Sequence, residues 1–144
     1  SIAIVKLFDR SIEFRTAMLR FSYLIIRQFT QTCVCNHFHT IESRICRWLT
    51  VMSERSDAER LDLTQEFLSH MLGVQRTSIG PVTAELQRSG IIRYSRGTIE
   101  ILDPVRLKEM ACECYSIVTD EEDHFLDELN LRTTGRLRIF RSGR

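Results

Sequence analysis

The residues best suited to chemistry are cysteine and histidine. Five cysteines occur, Cys33, Cys35, Cys46, Cys112 and Cys114. Cys33 and Cys35 are followed at the same spacing by His37 and His39, and thiolate with imidazole is a donor set for zinc. On a helix, positions i and i+2 point to different faces, so neither Cys33-x-Cys35 nor Cys112-x-Cys114 is a ready-made pair. The Cys33, Cys35, His37 and His39 group also straddles a helix end. The expectation is buried small apolar side chains, with no metal and no cofactor in this chain. Five is an odd number, and a chain of 144 residues does not need disulfide staples. With no signal peptide, reduced thiols and a cytoplasmic location are expected. No Gly-rich phosphate loop, HExxH, GxSxG or nucleophile–base grouping occurs, so an enzyme is not expected and no catalytic residue is assigned.

The elements that must position these residues follow from composition and periodicity. The chain is 43% hydrophobic and 27% charged, ordinary for one globular domain with an appended element. The net charge of +1 excludes a histone-like binder but not a local basic face. The longest apolar stretch, Phe21 to Ile26, is interrupted by Ser22 and falls far short of the ~20 residues of a membrane span. The chain begins without Met, which points to a missing upstream segment.

Residues 1–10 read as the end of a strand and a short turn. From Ser11 to His37 there is no Pro or Gly. Met18, Phe21, Ile25, Phe29 and Cys33 recur at helical spacing. Leu24, Ile26 and Val34 lie off that stripe, so the helix needs two neighbours, its own domain and a second copy. Thr40 caps a further helix with Ile41, Ile45, Trp48, Leu49 and Met52 on one face, and Ser53 to Arg60 reads as a loop. Thr64 caps a helix burying Phe67, Leu68, Met71 and Leu72. Gly73 breaks it, and a helix from near Gln75 presents Ile79, Val82 and Leu86 before Gly90 ends it. Two short helices joined by a Gly turn form a helix-turn-helix. Ile91 to Tyr94 and Thr98 to Leu102, joined by Ser95-Arg96-Gly97, form a hairpin placed as a wing. Asp103 and Pro104 start another helix, with Leu107, Met110, Ala111 and Cys114 inward. From Glu109 to Leu131 there is no Lys or Arg, which reads as a solvated helix and linker. Arg132 to Arg144 reads as a mobile basic tail.

Leu63 to Ile79 (LTQEFLSHMLGVQRTSI), Leu86 to Ile92 (LQRSGII), Glu42 to Leu49 (ESRICRWL) and Ala111 to Tyr115 (ACECY) agree in order and spacing with one family. The chain resembles the C-terminal half of the Crp/Fnr family of bacterial transcription regulators over roughly residues 10–118. The resemblance implies a mainly α fold with a small β-hairpin wing: a long dimerisation helix followed by a winged helix-turn-helix domain. Residues 1–10 are then a remnant of an upstream effector-binding β-roll. Residues 11–38 are the dimerisation helix, 39–118 the DNA-binding domain, and 119–144 an acidic, then Arg-rich, tail. The family's iron–sulfur members hold their cluster with cysteines of the region that is missing here.

The resemblance also implies roles. Gln75, Arg76 and Thr77 match base-reading positions at the start of the recognition helix. Arg76 can bind O6 and N7 of guanine in bidentate fashion. Thr64, Gln65 and Ser78 match phosphate contacts, and Arg96 at the wing tip is a further one. Met18, Phe21, Ile25 and Phe29 would face a second copy. Pro81 stands where some members carry a second base-reading Arg, which concentrates reading in the first turn. Phe29-Thr30 stands where cyclic-AMP sensors carry Thr-Ser, and gives no support for such a site. The expected partners are double-stranded DNA, a second copy and RNA polymerase, with no membrane. The function implied is a regulator that binds a pseudo-palindromic operator as a homodimer. The alternative is a winged-helix protein-interaction module that has lost operator recognition.

Overall fold

A computed structural model describes residues 2–128. Its first element is a helix, α1 (Ile2–Arg10), where the sequence reading expects a strand end. Ile4, Leu7 and Phe8 stand three and four apart, and that helical face outweighs the β-branched run before it. Ser11 joins α1 to α2 (Ile12–Phe38), and its hydroxyl accepts the Phe14 amide at 3.1 Å. With nothing to break it, α2 runs 27 residues, about 40 Å at helical rise.

His39 takes extended backbone and ends α2. Thr40 then caps α3 (Ile41–Ser56), accepting the Ser43 amide at 3.2 Å. The helix α3 continues through Ser53 to Ser56, which the sequence reading places in a loop. The polar run is compatible with a helix because its hydroxyls are used locally. Ser56 donates to the Met52 carbonyl at 2.7 Å and Ser53 to the Ala58 carbonyl at 2.8 Å.

The winged helix-turn-helix follows as expected. Thr64 caps α4 (Gln65–Leu72), Gly73 ends it, and α5 (Arg76–Arg88) follows. Three strands form an antiparallel sheet in the order β1-β3-β2, from β1 (Arg60–Asp62), β2 (Ile92–Ser95) and β3 (Thr98–Ile101). The hairpin pairs Ile92 with Ile101 and Ser95 with Thr98. The sequence reading misses β1, because three residues with one apolar side chain, Leu61, carry no readable alternation. Asp103 caps α6 (Pro104–Glu109), accepting the Arg106 amide at 2.9 Å with Pro104 at the first position.

One core unites these parts. Ile45 and Leu49 of α3, Leu68 and Leu72 of α4, Ile79 and Leu86 of α5, and Ile92, Ile99 and Ile101 of the hairpin are all buried. Phe67 and Met71, expected inside, are instead 46% and 48% exposed. They lie on the outer edge of α4, where Phe67 meets Trp48 edge-on, the ring centroids 6.1 Å apart.

Residues 119–128 correct the expected linker. They belong to α7 (Cys114–Glu128), which runs antiparallel along α2 and also touches α3. Phe125 lies 6.2 Å from Phe21, Glu121 pairs with Arg27, and Glu122 pairs with Arg55 of α3. The acidic run is thus a docked helix whose carboxylates meet arginines of other elements. The expected basic tail, 132–144, lies outside the described residues.

Leu68→Ala is expected to cost about 2–5 kcal/mol, from lost burial plus a cavity. Met71→Ala is expected to cost less than about 1 kcal/mol. Urea unfolding midpoints check the order, and equal costs would contradict the two faces assigned to α4.

Candidate nucleic-acid interface

Gly73 sets how α5 leaves α4. Its φ of 62° lies in the left-handed region that a Cβ disfavours. The turn is closed by the Val74 amide, which donates to the Ser69 carbonyl at 3.0 Å. The start of α5 then points outward. Gln75 caps it through backbone alone, so its side chain is not consumed by the helix. Arg76 and Thr77 are exposed on the first turn, and Ser78 is half-buried. Unpaired amides at a helix start favour anions.

Pro81 does not stop α5, which runs on to Arg88. The proline removes the ladder bond to the Thr77 carbonyl, but its ring faces solvent. The single hydroxyl proton of Thr83 is shared between the carbonyls of Ile79 and Gly80, each 3.0 Å away.

The wing sits close to these residues. Arg96 and Gly97 both have positive φ, 50° and 81°, the pattern of a tight hairpin turn. The sequence reading anticipates Gly97 there but not the strained Arg96. A Cβ on Gly97 would lie 3.4 Å from the Thr64 methyl, so the wing tip rests beside the cap of α4. A Cβ on Gly80 would lie 4.0 Å from the Gln65 amide nitrogen, so Gln65 reaches toward α5. Thr64, Gln65 and Arg96 therefore share one edge. Thr64 accepts the Phe67 amide at 3.1 Å and keeps its hydroxyl proton to donate. Gln87 of α5 accepts the Tyr94 amide at 2.8 Å and ties the wing to the same helix.

Pairing decides the electrostatics of this face. Arg88 is paired with Glu85 at 2.6 Å and Arg93 with Glu100 at 2.7 Å. Arg76 and Arg96 have no ion pair or hydrogen bond to any described residue. Sequence charge alone, which balances these arginines against nearby acids, could not separate the two groups.

The residues expected to face a second copy divide. Met18 and Phe29 lie on the exposed side of α2 beside Leu19 and Ile26. Phe21 turns to Phe125, Ile25 is half-buried, and Leu24 is buried toward α7. Of the neighbours this helix was expected to need, the chain itself supplies one, α7.

The cysteines regroup as well. Cys33 is exposed, and His37 packs edge-on against Phe38 with centroids 4.7 Å apart. Cys35 and His39 instead meet Cys112 and Cys114, with ligand atoms all within 4.8 Å. The expected helix across 103–114 stops at Glu109, and α7 starts at Cys114. That break lets Cys112 and Cys114 turn to one place, which helix periodicity would forbid. Burial pushes the Cys112 thiol up to about 12 and raises Cys35 as well, against the pull of Arg47. Its own backbone amide and then His39 hold the Glu113 carboxyl below the usual range. Cys46, isolated in the core, is pushed up to about 12 by burial and fits the bland expectation.

Residues 43–110 match the family model of the Crp-like helix-turn-helix domain. Among solved structures, the chain is similar to a protein from Eubacterium rectale ATCC 33656 that is assigned to the transcriptional regulators of the Crp/Fnr family. The TM-score is 0.63 at 20% identity, over 74% of this chain and 50% of that one. The chain therefore spans half the length of that relative. No curated protein sequence matches the chain. No helix among the described residues is long and apolar enough to cross a membrane.

Gly73→Ala is expected to lower stability by roughly 1–2 kcal/mol through left-handed backbone strain alone, since no atom lies within 4 Å of the new methyl. Thermal unfolding checks this, and an unchanged midpoint would contradict the turn geometry.

Proposed function

We propose that this chain, whose residues 43–110 match the Crp-like helix-turn-helix family model, is a DNA-binding transcription regulator acting in the cytoplasm. The observation that carries this reading is the exposed first turn of α5. There the side chains of Gln75 and Arg76 project without partners among the described residues, flanked by the wing tip whose Arg96 is likewise unpaired among them. The first turn of α5 enters the major groove. Arg76 reads a guanine, and Gln75 and Thr77 read adjacent base edges. Thr64, Gln65, Ser78 and Arg96 hold phosphates and set the register. Reading ends near Pro81, because the recognition surface is one helical turn long.

The operator is read by a homodimer. The exposed side of α2 carries Met18, Leu19, Ile26 and Phe29, and a second copy of the same helix covers it. Two recognition helices about 34 Å apart then meet successive turns of a pseudo-palindromic site.

Selection from a random duplex library at near-physiological salt tests the reading, and a two-fold symmetric site is expected. Arg76→Ala should lose about 1–3 kcal/mol of discrimination at one base position per half-site. Equal loss on specific and random DNA would reduce Arg76 to a phosphate contact. Arg96→Gly should keep the preference and reduce the salt slope by about 1. Ile26→Glu should dissociate the dimer in sedimentation. A folded dimer that enriches no site would favour a protein-binding role for the winged domain.

A further inference from the structure

Cys35 lies in the last turn of α2, and His39, just past its end, stays beside it through its amide, which donates to the Cys35 carbonyl at 3.1 Å. Cys112 and Cys114 flank the non-helical break before α7. The Cys35 and Cys112 sulfurs lie 3.5 Å apart, and Cys114 Sγ lies 3.6 Å from His39 Nδ1. All four ligand atoms fall within 4.8 Å of one another. Tetrahedral zinc, with bonds of about 2.3 Å to sulfur and 2.0–2.1 Å to nitrogen, has edges of about 3.8 Å (S–S) and 3.6 Å (S–N). The two measured contacts are edges of that size. An iron–sulfur cluster spreads its ligands more widely than one tetrahedron does, so the spacing favours a single ion.

The surroundings are those of a ligand set. His39 turns Nδ1 to the sulfurs, while its Nε2 lies 3.0 Å from the Glu113 carboxylate. A carboxylate on the far nitrogen fixes the tautomer that leaves the near nitrogen free to bind a metal. Gln31 Nε2 donates to Cys114 Sγ at 3.0 Å, which suits a thiolate acceptor. Cys35 is fully buried, Cys112 and Cys114 are nearly so, and His39 is shielded, so water is kept from the centre. Three thiolates around a divalent ion leave one negative charge. Arg47, buried on α3 with its Nε unpartnered, acts electrostatically on Cys35 and offsets it.

We propose that Cys35, His39, Cys112 and Cys114 bind one Zn²⁺ per chain. The ion staples the end of α2 to the start of α7 and so fixes the direction in which the winged domain leaves the long helix. It closes a loop between positions 77 residues apart, Cys35 and Cys112. The role is structural, because four protein ligands leave no open position.

The test uses the full chain, purified under reducing conditions and loaded with Zn²⁺ or Co²⁺, and is read without DNA. One zinc per chain is expected, and the cobalt form should show the strong visible bands of a tetrahedral thiolate site. Chelation should lower the unfolding midpoint of the native chain and of Cys33→Ser equally. Cys112→Ser and Cys114→Ser should bind zinc at least a hundredfold more weakly. Glu113→Gln should weaken binding by roughly tenfold, the low end for a supporting carboxylate. The native cobalt spectrum decides the matter even if the cysteine variants fail to fold. No bound zinc and no cobalt bands would overturn the proposal. So would iron–sulfur absorption in anaerobically purified protein, or a Cys35–Cys112 disulfide in metal-free reduced-buffer preparations. A loss on Cys33→Ser matching that on Cys114→Ser would overturn it as well.

Discussion

The buried guanidinium of Arg44 is the point where three helices meet. It lies on α3, donates to Asn36 Oδ1 of α2 at 2.7 Å, and donates to the Leu72 carbonyl at the end of α4. The last carbonyls of a helix have no partner within it, so a planar cation there satisfies a group the fold would otherwise leave buried and bare. One side chain thereby sets α4 against α3 and both against α2. The direction of α5 follows, because Gly73 begins one residue beyond the carbonyl Arg44 holds. The charge also has a cost, since Arg44 Nε has no hydrogen-bond partner among the described residues. A buried cation tolerated on those terms points to a need for a defined junction rather than for stability alone.

The surface proposed to meet DNA depends on that junction at one remove. Core residues from α3, α4, α5 and the hairpin hold α5 from behind. The Gln87 bond to Tyr94 and the seat of Gly97 on Thr64 hold the wing beside it. What remains outward is small: one helical turn, a helix cap and a wing tip. Its charge is set by subtraction. Beside it, Arg88 is paired with Glu85 one turn away and Arg93 with Glu100 across the hairpin, while Arg76 and Arg96 have no such pairing among the described residues.

The long helix has two unlike sides. Leu24, Gln28, Gln31 and Cys35 recur on the side that faces α7, and Leu19, Ile26 and Phe29 on a side that no other described residue covers. The acidic α7 is held by Arg27 and Arg55 rather than left to solvent. It returns along α2 from the Cys–His cluster to Phe21, so the cluster and the Arg44 junction both sit where the long helix hands over to the winged domain.

Much of this was legible in the residues. Caps at Thr40, Thr64 and Asp103, the stop at Gly73 and the turn at Gly97 are local chemistry, and local chemistry is written in adjacent positions. So is the order of helix-turn-helix and wing, and the candidacy of Gln75, Arg76 and Thr77. Short or irregular parts were not legible: β1 has too few residues to show alternation, and the polar end of α3 imitates a loop. Phe67 and Met71 share the period of Leu68 and Leu72 closely enough that only packing separates inside from outside. Tertiary structure alone decided which arginines are paired and which side of α2 is open. It alone brought Cys35 and His39 to Cys112 and Cys114. Those facts join residues far apart in the chain, where neither periodicity nor spacing carries information, and they arise from how helices pack rather than from how each one forms.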